Sequence, residues 1–243
     1  MVNEEKIGFG SLKLLQSEDS FKYGIDAVIL ADFADSLCHE AETVADLGTG
    51  NGIISFIISH LNDRCRITGI EIQKHVLELA EQSCVINGLE DRITFINTDV
   101  KNIHGNCPEL RGNFDVVVTN PPYVPKGGGI ENINSAKYIA RQETSAVMED
   151  FIAAASYMLK EKGHLFMVHR PSRLVDIFCF CRKYRLEPKD VRLVVPRKGE
   201  KPNIVLVHCV LGGGKELRFH RELQVYSGDG SYSEEIEKIY HRG

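Results

Sequence analysis

The sequence predicts an α/β protein with a mostly parallel central sheet, and three observations lead to that class. Short apolar runs rich in β-branched residues alternate with longer segments whose apolar residues recur at helical spacing. The first of these runs ends in an aspartate and a glycine-rich turn. The last two runs are joined by a short connection with Pro196 and Pro202, too short for a helical crossover, so we expect this pair to be antiparallel. Short buried strands alternating with helices form parallel sheets that carry helices on both faces.

The elements follow one another in a single predicted domain that covers residues 1–243. Strands are predicted at Thr43–Gly48, Arg66–Glu71, Arg92–Asn97, Phe114–Thr119, His164–His169, Val191–Val195 and Ile204–Val210. Helices are predicted at Ile53–His60, Lys74–Asn87 (closed by Gly88), Met148–Lys160 and Ser172–Tyr184. An N-terminal extension (residues 1–42) and a C-terminal appendix (residues 212–243) flank this pattern, and Gly127–Gly129 is interpreted as a loop beside the active site.

Composition and cysteine usage indicate an ordinary globular protein. Hydrophobic residues make up 43% of the chain and charged residues 26%. No run approaches the roughly 18 apolar residues of a membrane span, and the N-terminus has no signal-peptide core. The seven cysteines are odd in number, widely spaced and without a CxxC pair, which favours reduced thiols over zinc ligands or disulfides. We therefore expect a cytoplasmic protein with no metal and no membrane contact.

The net charge of -5 hides an asymmetry between the two halves of the chain. Residues 1–119 carry 9 Lys or Arg against 19 Asp or Glu, a net of -10, whereas residues 120–243 carry 20 against 15, a net of +5. Within 182–201 there are eight basic residues and three acidic ones. Such a segment attracts a phosphate backbone, but it is equally typical of a solvated helix end and loop, and both interpretations stay open.

The segment Asp46–Gly52 (DLGTGNG) follows the first predicted strand and opens the first helix. Its glycines allow a tight turn and a close approach of backbone to a ligand at the carboxyl ends of the strands. Glu71 ends the second strand, where it would bind a pair of ribose hydroxyls, and Asp99 after the third strand would bind an adenine amino group. The G-x-G-x-G spacing and Asp46 favour a cationic cofactor, S-adenosylmethionine, over NAD, whose loop is G-x-G-x-x-G.

A tetrapeptide, Asn120–Tyr123 (NPPY), comes directly after the fourth predicted strand, at the same edge as the glycine loop. Pro121 and Pro122 restrict the backbone and so hold the two flanking side chains in one arrangement. An exocyclic amino group that donates to the Asn120 side-chain oxygen and the Pro121 carbonyl would become pyramidal, which exposes its lone pair to a methyl group. Tyr123 would stack on a planar substrate. The alternative, a rigid turn without chemistry, is disfavoured by the cofactor loop at the same edge.

Together, DLGTGNG, GIEIQ, NTDV and NPPY resemble the amino-group methyltransferases, whose fold is Rossmann-like and seven-stranded. This resemblance implies the sheet order 3-2-1-4-5-7-6 with strand 7 antiparallel. Three further stretches resemble bacterial tRNA adenine-N6 methyltransferases that act on valine tRNA next to the anticodon. They are QSEDSFKYGIDAVILADFA at 16–34, HRPSR at 169–173 and GDGSYSEEIEKIY at 228–240, and Ala140–Glu143 (ARQE) is a fourth, shorter match.

The resemblance implies roles for residues outside the motifs. Tyr23, Gly24 and Asp26 would lie over the cofactor, although Tyr23 and Asp26 also fit a helix start with Asp26 as its cap. Arg141 would lie near the active-site loop or form an ion pair with Glu143 or Glu149. The predicted cofactor contacts are Tyr23, Gly24, Asp26, Asp46, Gly48, Thr49, Gly50, Asn51, Gly52, Glu71, Ile72, Asp99, Val100 and Asn120. The predicted substrate contacts are Lys126, Arg141, Arg192, Arg197 and Lys198.

Several functions compete on this evidence. The first is methylation of adenine N6 in tRNA, with the basic 182–201 segment holding the anticodon arm and an unstacked base entering the NPPY pocket. The second is a protein glutamine methyltransferase acting on release factors, but those enzymes carry a helical substrate domain before the cofactor loop, for which the residues before Asp46 leave no room. An rRNA guanine-N2 methyltransferase and a small-molecule amine methyltransferase are further alternatives. His60 and His169 are interpreted as structural, since this chemistry requires no imidazole.

Overall fold

The computed structural model describes residues 2–17, 24–122 and 146–240. Strands β1 to β11 span, in order, Val2–Lys6, Lys13–Ser17, Thr43–Leu47, Arg66–Glu71, Ile93–Asn97, Phe114–Thr119, Leu159–His169, Leu186–Val195, Ile204–Leu211, Arg218–Phe219 and Leu223–Gln224. Helices α1 to α7 span Ile25–Cys38, Ile53–Leu61, Lys74–Asn87, Ile103–Asn106, Met148–Met158, Leu174–Lys183 and Glu234–Tyr240. Among these residues, no helix is long and apolar enough to cross a membrane.

The central sheet confirms the predicted topology. Its order is β10-β8-β9-β7-β6-β3-β4-β5, with β11 also pairing with β8. Counted from β3, the first seven strands of this sheet therefore lie in the order 3-2-1-4-5-7-6. The seventh, β9, is antiparallel to both β7 and β8, whereas the other pairs are parallel. The short proline-containing connection between β8 and β9 explains the antiparallel pair, since it returns the chain without a crossover.

Helices cover both faces of the sheet, each over its own apolar cluster. Residues of α1, α2, α7 and the inner side of β2 form one cluster. Residues of α4, α5 and α6 form the other. Helix α1 ends near the start of β3. Asn62 Nδ2 holds the short connection between them by donating to the carbonyls of His39 (2.8 Å) and Ala41 (3.0 Å). A helix of 14 residues is about 21 Å long, so α1 begins at the opposite edge, where the parallel strands end. We call that edge the carboxyl edge and the opposite one the amino edge.

Three predicted boundaries were wrong, two by two residues and one by five, each for a local reason. The helix predicted to Lys160 ends at Met158, because Leu159 already pairs with Phe114 and the strand then bulges before His164. The sixth strand begins at Leu186, five residues before its predicted start, and tolerates Pro188 because a register shift follows it. The helix predicted from Ser172 is preceded by a 3-10 turn at Pro171–Arg173 and begins at Leu174.

The two flanking segments contain structure that the sequence pattern did not predict. Strands β1 and β2 form an antiparallel hairpin that lies on α3. Leu15 N donates to Ser83 Oγ (2.9 Å), while Asn87 accepts from Lys13 N (2.9 Å) and donates to Lys13 O (2.7 Å). The C-terminal appendix extends the sheet through β10 and β11, and α7 buries Ile236 and Ile239 in the core. Both segments therefore belong to the packed structure.

Candidate active site

The carboxyl ends of four neighbouring strands bring the predicted motifs to one edge. Leu47 at the end of β3 pairs with Ile70 of β4 on one side and with Thr119 of β6 on the other. The glycine loop and Asn120 therefore leave the sheet side by side, about 5 Å apart at the strands. The Thr119 hydroxyl donates to the Leu47 carbonyl (2.9 Å) and ties the two strand ends together.

The glycine loop turns on three left-handed residues, Gly48, Gly50 and Gly52, with φ of 72°, 58° and 87°. Gly48 N and Thr49 N both donate to Ile70 O, at 2.8 Å and 3.0 Å. A Cβ at Gly52 would lie 2.8 Å from the Phe56 ring, so a side chain there would displace α2, whereas a Cβ at Gly50 would meet nothing within 4 Å. The open space over Gly50 is available to a ligand that contacts the loop backbone.

Asp46, the last polar residue of β3, is fully buried beneath this loop. Its Oδ2 accepts hydrogen bonds from Thr49 Oγ1 (2.7 Å) and Ser55 Oγ (2.8 Å), while Oδ1 is buried without a hydrogen-bond partner. Burial raises the pKa of Asp46 to about 6, and the two hydroxyls only partly oppose that shift. A buried carboxylate oxygen without a partner is costly, and a donor or a cation from a ligand or water would compensate it.

Glu71 and Asp99 lie at the ends of the next two strands, as predicted. Glu71 is buried, and its carboxylate accepts from Gly50 N (3.1 Å) and Gln73 N (2.8 Å), so the acid is oriented against the glycine loop. Asp99 accepts from Lys101 N (2.9 Å) and lies 3.3 Å from Lys101 Nζ. Between them, Ile72 exposes 47% of its surface, an apolar face beside the site, whereas Val100 is buried. Contacts of these residues with a cofactor remain predictions.

The tetrapeptide is described up to Pro122. Asn120 is half-buried, Pro121 is buried and Pro122 is exposed. No hydrogen bond joins the Asn120 side chain to the described residues. Asn120 follows Thr119, the last residue of β6, and so lies at the edge beside the glycine loop. Tyr123 lies outside the described residues, as do Lys126, Arg141 and the glycines 127–129.

The start of α1 lies at the same edge, with one correction to the interpretation of Asp26. The N-cap is Gly24, whose side chain cannot cap the helix, and Asp26 occupies the first turn instead of the cap position. An acidic residue in the first turn still interacts favourably with the helix dipole. Tyr23 lies outside the described residues. Asn51, predicted to contact the cofactor, is buried inside the glycine loop.

The basic 182–201 segment does not form one surface, because β8 separates its two ends by about 33 Å. At the amino edge the cations are paired: Arg182 with Glu187 (2.6 Å), Lys183 with Glu149 (2.6 Å) and Arg185 with Glu161 (3.3 Å). Glu149, one of the partners considered for Arg141, is thus already bound to Lys183.

The basic residues of the segment that lie at or near the carboxyl edge have different settings. Arg197 and Lys198 are exposed in the loop after β8, and Arg197 is 3.6 Å from Glu200. Arg192 is bound inside the protein, with Nε donating to Arg221 O (3.1 Å) and the guanidinium contacting Glu235. Its predicted contact with substrate stays a prediction, and the structure shows that it also holds the C-terminal appendix.

Both histidines that the sequence analysis interpreted as structural have structural contacts. His169 is buried, and burial lowers its pKa to about 4, so the ring is neutral at pH 7. Its Nδ1 accepts from Arg170 N (2.8 Å), which places the ring proton on Nε2. The His60 ring packs edge-on against Phe9 of the N-terminal hairpin (6.0 Å between centroids).

Sequence reasoning missed the second hydroxyl that holds Asp46. Ser55 is one of two serines in the apolar helix IISFIISHL, and a buried hydroxyl in such a helix indicates a nearby polar partner. The seven cysteines are all free thiols. Among the described ranges, no group of three or more His, Cys, Asp or Glu side chains could hold a metal ion.

The chain is similar to known proteins over most of its length. Residues 17–175 match the methyltransferase small domain family. A tRNA1(Val) (adenine(37)-N6)-methyltransferase of Aeromonas hydrophila is 26% identical over 216 residues, which cover 88% of this chain and 86% of the relative. A protein of the same name from Porphyromonas gingivalis is 28% identical and covers 73% of this chain and 70% of the relative.

Two solved structures share the fold. A predicted O-methyltransferase of Agrobacterium tumefaciens superimposes with a TM-score of 0.70 at 23% identity, covering 88% of this chain and 95% of that one. The T. thermophilus 16S rRNA N2 methyltransferase, solved with AdoMet and guanosine, gives a TM-score of 0.61 at 15% identity and covers 86% of this chain and 50% of that one.

Proposed function

Because the chain belongs to the methyltransferase small domain family, we propose that it transfers a methyl group from S-adenosylmethionine to N6 of an adenine in tRNA. The observation that carries amino-group transfer is the position of Asn120 and Pro121 directly beside the glycine loop, across the β3–β6 pair. The substrate class rests on the Aeromonas and Porphyromonas relatives, which span most of this chain. By the same likeness the target is the adenine next to the anticodon of a valine tRNA, held through its anticodon stem-loop, and the reaction is cytoplasmic.

The residues present fit the cofactor. Asp46 Oδ1 is buried without a partner, so it can receive a donor or positive charge from the cofactor side of the loop. Gly50 has open space where a side chain would stand, and Glu71 is fixed against its backbone N–H with lone pairs left for hydroxyl groups. When bound, S-adenosylmethionine supplies a methyl group activated by its sulfonium charge.

The protein's part in the reaction is to position the target amine and to exclude water from it. Asn120 Oδ1 and the Pro121 carbonyl accept the two N–H groups of the target amine, which directs the nitrogen lone pair toward the glycine loop. The prolines limit the entropy lost on binding, so the gain comes from proximity and orientation. Burial lowers the pKa of His169 to about 4, so its neutral ring is a weak base.

The test is methyl transfer from labelled S-adenosylmethionine to total bacterial tRNA, to DNA, to rRNA and to a release factor, followed by nucleoside and amino-acid analysis. We expect N6-methyladenosine in tRNA, with label mapped to the anticodon loop of valine tRNA. Label in the release factor with tRNA unmodified would instead assign the site to a glutamine amide. Label in N2-methylguanosine would assign it to rRNA.

A matched pair of asparagines at the two ends of β6 tests the role of the tetrapeptide. Asn120→Ala removes the amide at the carboxyl edge and should lower kcat by at least about 100-fold while cofactor binding survives. Asn113→Ala removes an exposed amide at the amino edge of the same strand and should leave kcat unchanged. Full activity of Asn120→Ala would overturn the proposed mechanism.

A further inference from the structure

The C-terminal appendix reaches the carboxyl edge beside the basic loop that follows β8. Strand β11 pairs with β8 in parallel, and Val225 N and Tyr226 N continue that pairing to Val195 O (3.0 Å) and Pro196 O (2.9 Å). Tyr226 is therefore held by backbone hydrogen bonds at the point where β8 ends. The loop 197–201 begins at the next residue.

Tyr226 begins a stacked row of aromatic rings, which we call the tyrosine ladder (Tyr226, Tyr232 and Tyr240). The Tyr226 and Tyr232 centroids are 5.6 Å apart at 16°, and those of Tyr232 and Tyr240 are 5.7 Å apart at 19°. Tyr240 in turn packs on the buried Phe9 ring (5.5 Å). The ladder is anchored in the core at one end, which leaves Tyr226 little freedom at the other.

Arg197 lies on the outer end of this ladder. Its Cζ is 5.7 Å from the Tyr226 ring centroid, which is within the range of a cation–π contact. The side chain is 55% exposed, and its ion pair with Glu200 is long (3.6 Å) and also exposed, so it contributes little. A guanidinium held over a ring face keeps N–H groups for a phosphate, and the contact restricts the side chain before the anion binds.

Further exposed basic residues lie near Arg197 at this edge, as expected where phosphate binds. Lys198 and Lys201 are exposed in the same loop, and the exposed Arg170 donates to Asn203 O (3.2 Å) just before β9 begins. Strands β7 and β9 separate β8 from β6, so Arg197 lies about 14 Å from Asn120 along the edge. A short run of single-stranded nucleotides covers that distance.

Resting on the proposed function, we propose that Arg197 binds a backbone phosphate of the RNA strand that enters the site, and that Tyr226 is the positioning residue that holds it. The C-terminal appendix then has a function in substrate binding, because the tyrosine ladder connects Arg197 to the packed core and so restricts its side chain. The partner is an RNA strand with a looped-out base, bound through its backbone and not through its sequence.

The experiment measures tRNA binding and steady-state methylation with an unmodified valine tRNA transcript over a range of salt concentrations. Arg197→Gln should raise KM for tRNA about tenfold with kcat nearly unchanged, and should reduce the slope of log K against log salt by about 0.7 to 0.9, the value for one lost phosphate contact. Tyr226→Leu should reproduce part of both changes, about threefold in KM. Tyr226→Phe, which keeps the ring face, should restore the wild-type values.

A second arginine–tyrosine pair provides the matched control. Arg111 Cζ lies 6.0 Å from the Tyr157 centroid, on the side of α5 that faces the amino edge. Arg111→Gln and Tyr157→Leu should leave KM and the salt slope unchanged. The inference is overturned if wild type methylates tRNA while Arg197→Gln and Tyr226→Leu behave like these controls. If wild type modifies no RNA, the proposed function itself is wrong, and that result is seen before any variant is compared.

Discussion

Two buried aspartates in the same sheet, Asp46 and Asp190, have opposite surroundings. Both have essentially no exposed surface. Asp46 accepts hydrogen bonds from the Thr49 and Ser55 hydroxyls, and among the residues that the structure describes its other oxygen has no partner. Asp190 accepts from Arg218 Nε (2.8 Å) and Nη2 (3.0 Å), and its carboxylate also meets His208 Nδ1 (2.7 Å) and His220 Nε2 (2.8 Å). Burial raises the pKa of Asp46 to about 6, whereas the hydrogen bonds outweigh burial and hold the pKa of Asp190 well below its usual range.

The difference separates a structural acid from one that is set up for a ligand. Asp190 lies in β8 and joins it to β9 and the appendix, since its partners come from those two segments, and its charge is compensated within the fold. Asp46 carries a burial cost that the fold itself does not compensate. Buried ionisable groups with incomplete hydrogen bonding concentrate at functional sites, where a bound ligand supplies the missing partner.

The largest expected effect is a loss of stability on replacing Asp190, the structural member of the pair. Asp190→Asn puts a neutral amide at the buried end of the ion pair with the half-exposed Arg218 and against His208 and His220. We expect the free energy of unfolding at pH 7 to fall by about 3 kcal/mol, as measured by urea denaturation. Asp46→Asn, which removes an incompletely compensated charge, should change that free energy by less than about 1 kcal/mol. Equal losses in the two variants would contradict the assignment of different roles.

The next largest effect concerns the affinity for the cofactor that we expect Asp46 to bind. Asp46→Asn keeps the shape of the side chain but removes the buried charge beneath the glycine loop. Dissociation constants for S-adenosylmethionine, measured by calorimetry, should rise about 10- to 100-fold, the range for loss of one charge-assisted hydrogen bond. Asp190→Asn, measured at a temperature where it remains folded, serves as the control and should bind within about threefold of wild type. Wild-type affinity in Asp46→Asn would show that the cofactor does not use this oxygen.

The pH dependence of cofactor binding sharpens the same point. The folded pKa of Asp46 is raised from 3.8 to about 6, so the protonated form contributes stability that is fully present below pH 3.8 and is lost as pH rises through about 6. A cationic cofactor prefers the ionised form. Its affinity should therefore weaken up to tenfold for each pH unit below about 6 and level off above about 7. Calorimetric titrations from pH 5 to 8 should show this curve in wild type and a flatter one in Asp46→Asn.

The site was predictable from sequence because its parts are local and rigid. Glu71 ends its strand, the glycine loop and the Asn120–Pro122 stretch directly follow theirs, and parallel strands end at one edge, so the motifs had to meet there. The sheet order followed from the resemblance, while the antiparallel last strand also followed from the short loop between Val195 and Ile204.

What the sequence did not predict depends on contacts between distant segments. The hairpin β1–β2 is stabilised by Ser83 and Asn87 of α3, about 70 residues away, and its short strands carry little pattern of their own. The basic 182–201 segment read as one cluster, but a strand inside it carries its ends to opposite edges. Asp190 is one of the three acidic residues counted in that segment, and it is buried against partners from β9 and β10.

The smallest effect tests how finely the pKa of Asp46 is set. Ser55 and Ser59 are both buried in α2, but only Ser55 donates to Asp46, whereas Ser59 donates to Phe56 O (2.8 Å). Ser55→Ala removes one of the hydrogen bonds that oppose burial, so the pKa of Asp46 should rise further, by roughly 0.7 unit, since one hydrogen bond is worth about 1 kcal/mol. The midpoint of the pH curve for cofactor binding should move up by the same amount. Ser59→Ala loses a similar hydroxyl without touching the acid, so it should lower stability slightly and leave the midpoint in place. If both variants shift the midpoint equally, the pKa of Asp46 reflects the packing of α2 and not the hydroxyl that Ser55 supplies.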